Sequence, residues 1–186
     1  MTLQNTLKIV AILLAFTKAQ VAFGHITLDN QAAAAGSGYK AVLRVGHGCD
    51  GAATQRLRVA IPPGFKGAKP MPKPGWVLTT RVEKLAVPYT SHGKTIAQDV
   101  VEVSWTAATA ANALPDAHYD EFVLRGTLPD APGPMWFKVL QSCTKGQNDW
   151  AEVPTSGTST KGLKAPAALL EIQPAAAPAQ APAHVH

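Results

Sequence analysis

The sequence predicts an all-β protein, an antiparallel immunoglobulin- or cupredoxin-like β-sandwich. Its apolar and polar residues alternate over short segments, Pro- and Gly-rich turns separate these segments, and no long amphipathic helix interrupts them. In the segment 101–105, for example, Val101, Val103 and Trp105 share one face. The predicted strands lie at 41–45, 55–61, 76–87, 101–105, 119–128 and 135–143.

The first 24 residues are predicted to be a secretory signal peptide. Lys8 supplies a positive start, residues 9–16 form a short apolar stretch, and Ala22-Phe23-Gly24 has the small-x-small pattern of a cleavage site. Cleavage after Gly24 would place the mature protein in the periplasm or outside the cell. The apolar stretch is too short to span a bilayer, so we expect no transmembrane helix in the mature chain.

The rest of the chain divides into a domain and a tail. Residues 25–153 carry the strand pattern, whereas residues 154–186 are rich in Ser, Thr, Gly, Ala and Pro and predict a flexible tail. His184 and His186 end this tail; they are either weak metal ligands or, as we favour, solvated residues. The net charge of +5 is scattered, which argues against nucleic acid as a partner.

Two cysteines, Cys49 and Cys143, suit an oxidising compartment. With only two, the pairing is unique if they pair, and a disulfide is the favoured interpretation. The alternative is a copper site built on thiolates, although neither cysteine lies in a metal-thiolate motif.

Signal cleavage would make His25 the first residue of the mature protein. A histidine in that position offers two nitrogens to one metal ion, the free α-amine and the ring Nδ1, which an internal histidine cannot do. Nitrogen ligands of this kind suit Cu(II), which prefers tetragonal nitrogen and oxygen coordination. The alternative interpretation is that some residue must come first and that His25 has no such role.

Several segments together resemble a known family. They are His25-Ile26-Thr27-Leu28, Gly46-His47-Gly48-Cys49-Asp50-Gly51, His118-Tyr119-Asp120-Glu121-Phe122, the run Phe137-Lys138-Val139-Leu140-Gln141-Ser142-Cys143, and Trp150. Over about residues 25–153 the chain is similar to the YcnI-like copper-binding domain of exported bacterial proteins. The resemblance implies a β-sandwich, a role in copper handling, and a Cu(II) site called a monohistidine brace.

The resemblance also implies the members of that site. His25 would bind one Cu(II) per chain through its amine and ring, Glu121 would supply a carboxylate oxygen, and Trp150 would lie close to the metal. Three other tryptophans compete for the last role: Trp105 shares the apolar face of its strand, and Trp76 and Trp136 are the remaining candidates.

Two further residues, Glu121 and His47, have alternative interpretations. Glu121 falls on the strand face opposite Phe122 and is either a ligand or a solvated residue. His47 lies two positions before Cys49 and is either a ligand or, as we favour, a structural residue beside the disulfide.

The sequence therefore predicts an exported Cu(II)-binding protein, a periplasmic copper chaperone or trafficking protein rather than an enzyme. Its expected partners are the copper ion and proteins that transport copper or assemble copper enzymes. The alternatives are a copper-dependent oxidative enzyme, whose site needs a second histidine, and a metal-free envelope module that mediates contacts.

Overall fold

The computed structural model describes residues 24–175, which form a sandwich of two β-sheets. The predicted signal peptide, apart from Gly24, and the last eleven residues with His184 and His186 lie outside the described residues. Within the described range, no helix is long and apolar enough to cross a membrane. A single turn of 3-10 helix, Ala110–Asn112, joins two of the strands.

The first sheet has four strands in the order β1-β3-β8-β5. Their bounds are Thr27–Leu28 for β1, Gly38–Val45 for β3, Asp120–Thr127 for β8 and Lys66–Pro70 for β5. Each pairs antiparallel with its neighbours.

The second sheet has seven strands, six of them in the order β2-β11-β9-β4-β7-β6, with β10 pairing beside β9. Their bounds are Ala32–Ala34 (β2), Thr54–Ala60 (β4), Trp76–Ser91 (β6), Lys94–Ala107 (β7), Gly133–Cys143 (β9), Gln147–Trp150 (β10) and Ala168–Gln173 (β11). Among the strands of residues 24–175 that form this sheet, β2 and β11 pair in parallel and the other pairs are antiparallel.

The core lies between the facing sheets and follows the period-2 pattern of the strands. Alternate residues of β8 and β9 point inward, and the largest of them are Phe122 and Phe137, both fully buried. Trp105 is fully buried as well, and its ring lies 5.7 Å from that of Phe122 in an edge-to-face arrangement. The prediction that Trp105 is a core residue is therefore confirmed.

The predicted sandwich is confirmed, and each of the six strands predicted from the sequence coincides with an observed strand. The predicted flexible tail from residue 154, in contrast, is wrong in its first part, because β11 completes the second sheet between β2 and β9. Ala168, Leu170 and Ile172 alternate with more exposed residues and are buried in the core. The Ala- and Pro-rich composition of this region concealed that short apolar pattern.

Cys49 and Cys143 form the predicted disulfide, with 5.9 Å between their Cα atoms. Cys143 ends β9, and Cys49 begins a tight turn in which Asp50 and Gly51 both have positive φ angles, 49° and 82°. Reciprocal backbone hydrogen bonds between Cys49 and Ala52 close this turn. Two consecutive residues with positive φ define a type I′ turn, which explains the Asp-Gly pair.

We expect the disulfide to stabilise the fold strongly, because it closes a loop of 94 residues. Loop-closure entropy of this size corresponds to about 4–5 kcal/mol. The double variant Cys49→Ser/Cys143→Ser should therefore melt about 10–15 °C below the oxidised wild type in calorimetry. Two free thiols in the native protein, or an unchanged melting temperature, would contradict this expectation.

Candidate metal centre

The start of the described chain lies at one end of the sandwich, next to β10. Ile26 and Leu28 are buried in the core, and their burial fixes the position of His25, which precedes them. The ring of His25 lies 5.6 Å from the ring of Trp150, centroid to centroid, with an interplanar angle of 70°. The structure thus brings together two of the three predicted site residues, His25 and Trp150.

Trp150 reaches this position because β10 pairs antiparallel with β9. Trp150 is the direct partner of Val139, whose side chain is buried, so the indole also faces the interior and is only 3% exposed. Its Nε1–H donates a hydrogen bond of 2.9 Å to Oε1 of Gln141. The indole is therefore fixed at its polar end as well as by packing.

Gln141 connects the parts of this site, although sequence reasoning gave it no role. Its Nε2 donates to the backbone oxygen of His47 at 2.7 Å and to Oγ1 of Thr54 at 2.8 Å. Its Oε1 accepts from Trp150 and, at 3.4 Å, from Nδ2 of Asn148. All four hydrogen-bonding positions of the amide are thereby used.

A signal for Gln141 was present in the sequence. Gln141 occupies the same strand face as Phe137, Val139 and Cys143, so the period-2 pattern places a polar amide among inward-facing residues. The side chain is 1% exposed, and a buried amide without partners is costly. A polar residue in an apolar stripe therefore predicts a buried hydrogen-bond network.

His47 lies on another side of the same indole. Its ring centroid is 6.1 Å from that of Trp150, at an interplanar angle of 82°. Its Nδ1 lies 2.5 Å from the backbone oxygen of Gly48, and its Nε2 contacts the backbone oxygen of Gly24. The backbone of His47 accepts a hydrogen bond from Gln141, two residues before Cys143, which agrees with the expectation that His47 lies beside the disulfide. The ring of His47, however, also contacts Gly24 at the start of the described chain.

Glu121 lies on the outer face of β8 and is exposed. Its Oε1 accepts a hydrogen bond of 2.6 Å from the hydroxyl of Tyr119. Partial desolvation and, secondly, this hydrogen bond raise the pKa of Tyr119 to about 12. Across the sheet, Glu121 pairs with Arg44, which in turn pairs with Thr27.

This register places Glu121 two strands away from Thr27, or about 10 Å at the usual strand spacing. The side chain of the intervening Arg44 donates hydrogen bonds of 3.1 and 3.3 Å to Oγ1 of Thr27. That Glu121 shares a metal ion with His25 stays a prediction.

From Gly24 to Ala175, no three side chains of His, Cys, Asp or Glu are grouped so that they could hold a metal ion together. The predicted site does not require such a group, because one of its donors is an α-amine that exists only after cleavage. Imidazole nitrogen and carboxylate oxygen are suitable donors for Cu(II), and the residues present fit the ion in that chemical sense.

Comparison with known proteins identifies the family. A family model described as a domain of unknown function (DUF1775) matches residues 25–172. The chain belongs to the DUF1775 family. The match begins at His25 and extends to β11, so this DUF1775 domain includes the last strand of the second sheet.

A solved structure supports the same fold for this DUF1775 domain. It is described as an uncharacterized protein from Nocardia farcinica that reveals an immunoglobulin-like fold. The TM-score is 0.61 at 24% sequence identity, and the similarity covers 80% of this chain and 97% of the other. A comparison with curated proteins finds no significant match.

We expect Gln141→Leu to destabilise the domain and to loosen Trp150. The change keeps the approximate size of the side chain but leaves the indole N–H and the His47 carbonyl without their partner. Each unsatisfied buried group costs about 1–3 kcal/mol, so the free energy of unfolding should fall by about 2–4 kcal/mol. Urea unfolding followed by tryptophan fluorescence measures both effects.

The matched control is Gln98→Leu, at an exposed position of β7. It should change the free energy of unfolding by less than about 0.5 kcal/mol. Equal stability of the two variants would show that the Gln141 network contributes nothing.

Proposed function

We propose that this protein is an exported Cu(II)-binding protein that carries copper, with His25 as the first residue of the mature chain. The observation that carries the proposal is the position of His25, whose ring packs against the buried Trp150 at the end of the sandwich. The start of the family match at residue 25 also supports cleavage after Gly24. The disulfide agrees with an extracytoplasmic location.

Copper is the proposed ion because of the donor atoms that the site offers. The α-amine and Nδ1 of His25 would chelate the metal as two neutral nitrogens, and the carboxylate of Glu121 would balance part of its charge. Cu(II) binds nitrogen and oxygen donors more tightly than the other divalent ions of the first transition series. Trp150 would cover one side of the site and exclude water from it.

We propose a carrier rather than an enzyme because a carboxylate in the ligand set favours storage of the oxidised ion over activation of oxygen. A copper-dependent oxidative enzyme is the second candidate, and the position of His47 near His25 is the observation that favours it. Oxygen consumption by the copper-loaded protein in the presence of ascorbate separates the two. Copper transport proteins and proteins that assemble copper enzymes are the proposed partners.

An extra residue before His25 should abolish tight copper binding. A chain that starts at Gly24 has an amide in place of the His25 amine, so the chelate cannot form. We expect its Cu(II) affinity to fall at least tenfold, and on the order of 100-fold, below that of the chain that starts at His25. Isothermal titration calorimetry on both forms measures the difference.

Two controls make this comparison specific. The melting temperatures of the copper-free forms should agree, because the added residue lies outside the core. Adding a glycine at the C-terminus instead should leave the affinity unchanged. Equal Cu(II) affinity for the chains starting at Gly24 and His25 would overturn the proposed site.

Glu121→Gln should weaken copper binding while preserving the fold. The variant keeps the shape of an exposed side chain and removes its negative charge, so we expect affinity to fall about tenfold with an unchanged melting temperature. The matched control is Glu83→Gln on β6, an exposed carboxylate that pairs with Arg81. Affinity should stay at the wild-type value in Glu83→Gln, and unchanged affinity in Glu121→Gln would show that Glu121 is not the carboxylate ligand.

A further inference from the structure

We propose that Nε2 of His47 is a third nitrogen ligand of the copper site, and that removal of Gly24 makes this nitrogen available. The inference rests on the proposed function, because it concerns the same metal ion. It differs from the sequence prediction, in which His47 was favoured as a structural residue and only His25 supplied nitrogen.

The first argument is proximity. Nε2 of His47 contacts the carbonyl oxygen of Gly24, and that oxygen belongs to the peptide bond whose nitrogen becomes the α-amine of His25. Within one peptide unit the oxygen and nitrogen are about 2.3 Å apart. Nε2 of His47 therefore lies within about 5 Å of the future amine. Two nitrogens on opposite sides of a metal ion, each bonded at about 2.0 Å, are about 4 Å apart.

The second argument is the number of donors on the ring. Both ring nitrogens of His47 face carbonyl oxygens, Nδ1 that of Gly48 and Nε2 that of Gly24. A neutral imidazole has one N–H and can donate to only one of them. Hydrolysis of the Gly24–His25 bond by water leaves the carbonyl carbon of Gly24 on the departing segment as a carboxylate. Nδ1–H then donates to Gly48, and the lone pair of Nε2 is free beside the new amine.

The third argument is that the position of His47 is fixed without metal. Its backbone oxygen accepts from the buried Gln141, and its ring packs edge-on against Trp150. The following residue, Gly48, is buried, and a Cβ there would collide with the carbonyl oxygen of Ala52. A second hydrogen bond, from Gly48 N to Oδ1 of Asp116 at 2.8 Å, holds the same segment. Little reorganisation is therefore needed when the metal binds.

A third nitrogen changes what the site can hold. Imidazole suits both oxidation states of copper, whereas a carboxylate suits the oxidised ion. With His25 and His47 on one metal, the site retains copper after reduction of Cu(II) to Cu(I) by one electron from an external reductant such as ascorbate. The donor set then joins two imidazoles and one amine to the proposed carboxylate of Glu121, so it keeps the ligand that favours a carrier over an enzyme.

The test uses the mature chain that starts at His25, loaded with one equivalent of Cu(II), and compares it with His47→Phe. Phenylalanine keeps a ring against Trp150 and removes both nitrogens, so the fold should be preserved. Pulsed EPR distinguishes one coordinated imidazole from two. We expect two in the wild type and one in His47→Phe, with Cu(II) affinity at least about tenfold lower and a larger loss for Cu(I) in competition with a Cu(I) chelator.

His47→Gln is a second variant in case phenylalanine does not fit, and His92→Gln, in the exposed turn between β6 and β7, is the matched control. His92→Gln should keep two coordinated imidazoles and wild-type affinity. Wild-type protein with a single coordinated imidazole, together with unchanged affinity in a folded His47 variant, overturns the inference and leaves His25 as the sole histidine ligand. Failure of the wild type to bind copper overturns the proposed function itself.

Discussion

The buried amide of Gln141 is the interaction on which this end of the sandwich depends. It joins β9 to Trp150 on β10, to Thr54 on β4 and to the backbone of the segment that follows β3. An amide in an apolar core is stabilising only when its donors and acceptors are all satisfied. Together with a fourth bond, from Asn148 on β10, these contacts require the elements around Gln141 to be in register at the same time.

The disulfide links the same two parts of the chain, β9 and the segment that follows β3. Cys143 lies two residues after Gln141 on β9, and Cys49 lies two residues after His47. The covalent bond and the amide network thus fix one short segment at both of its ends, and the type I′ turn reverses the chain immediately after it. As a result, the ring of His47 is presented to the chain start by a rigid segment rather than by a mobile loop.

Local sequence patterns were sufficient to predict the sandwich, because strands such as β8 and β9 alternate clearly and Pro or Gly residues separate many of the strands. The disulfide was predictable because two cysteines allow only one pairing. The strand face of Glu121 was also correct, since Phe122 identifies the opposite face. These features depend on neighbouring residues or on the number of cysteines, and no knowledge of distant contacts is needed to infer them.

The rest of the site depends on contacts between residues far apart in the chain. His25, His47 and Trp150 meet only because β1 pairs with β3 while β10 pairs with β9 in the opposite sheet, and no single segment contains that information. Strand β11 was missed for a related reason: its alternation covers six residues, and its composition resembles that of the tail. Gln141 was predictable in principle from its place in an apolar stripe, but its partners were not.

The arrangement has a physical consequence for the proposed copper binding. Among the described residues no buried side-chain polar atom lacks a hydrogen-bond partner, so the network around Trp150 is complete before any metal binds. A site in which the metal supplies the folding energy would be disordered without it. Here the core, the disulfide and the Gln141 amide hold the rings in place, and only the amine of His25 would have to be created by the predicted cleavage. A rigid frame with one donor added by processing would separate folding from metal loading, as the proposed copper carrier requires.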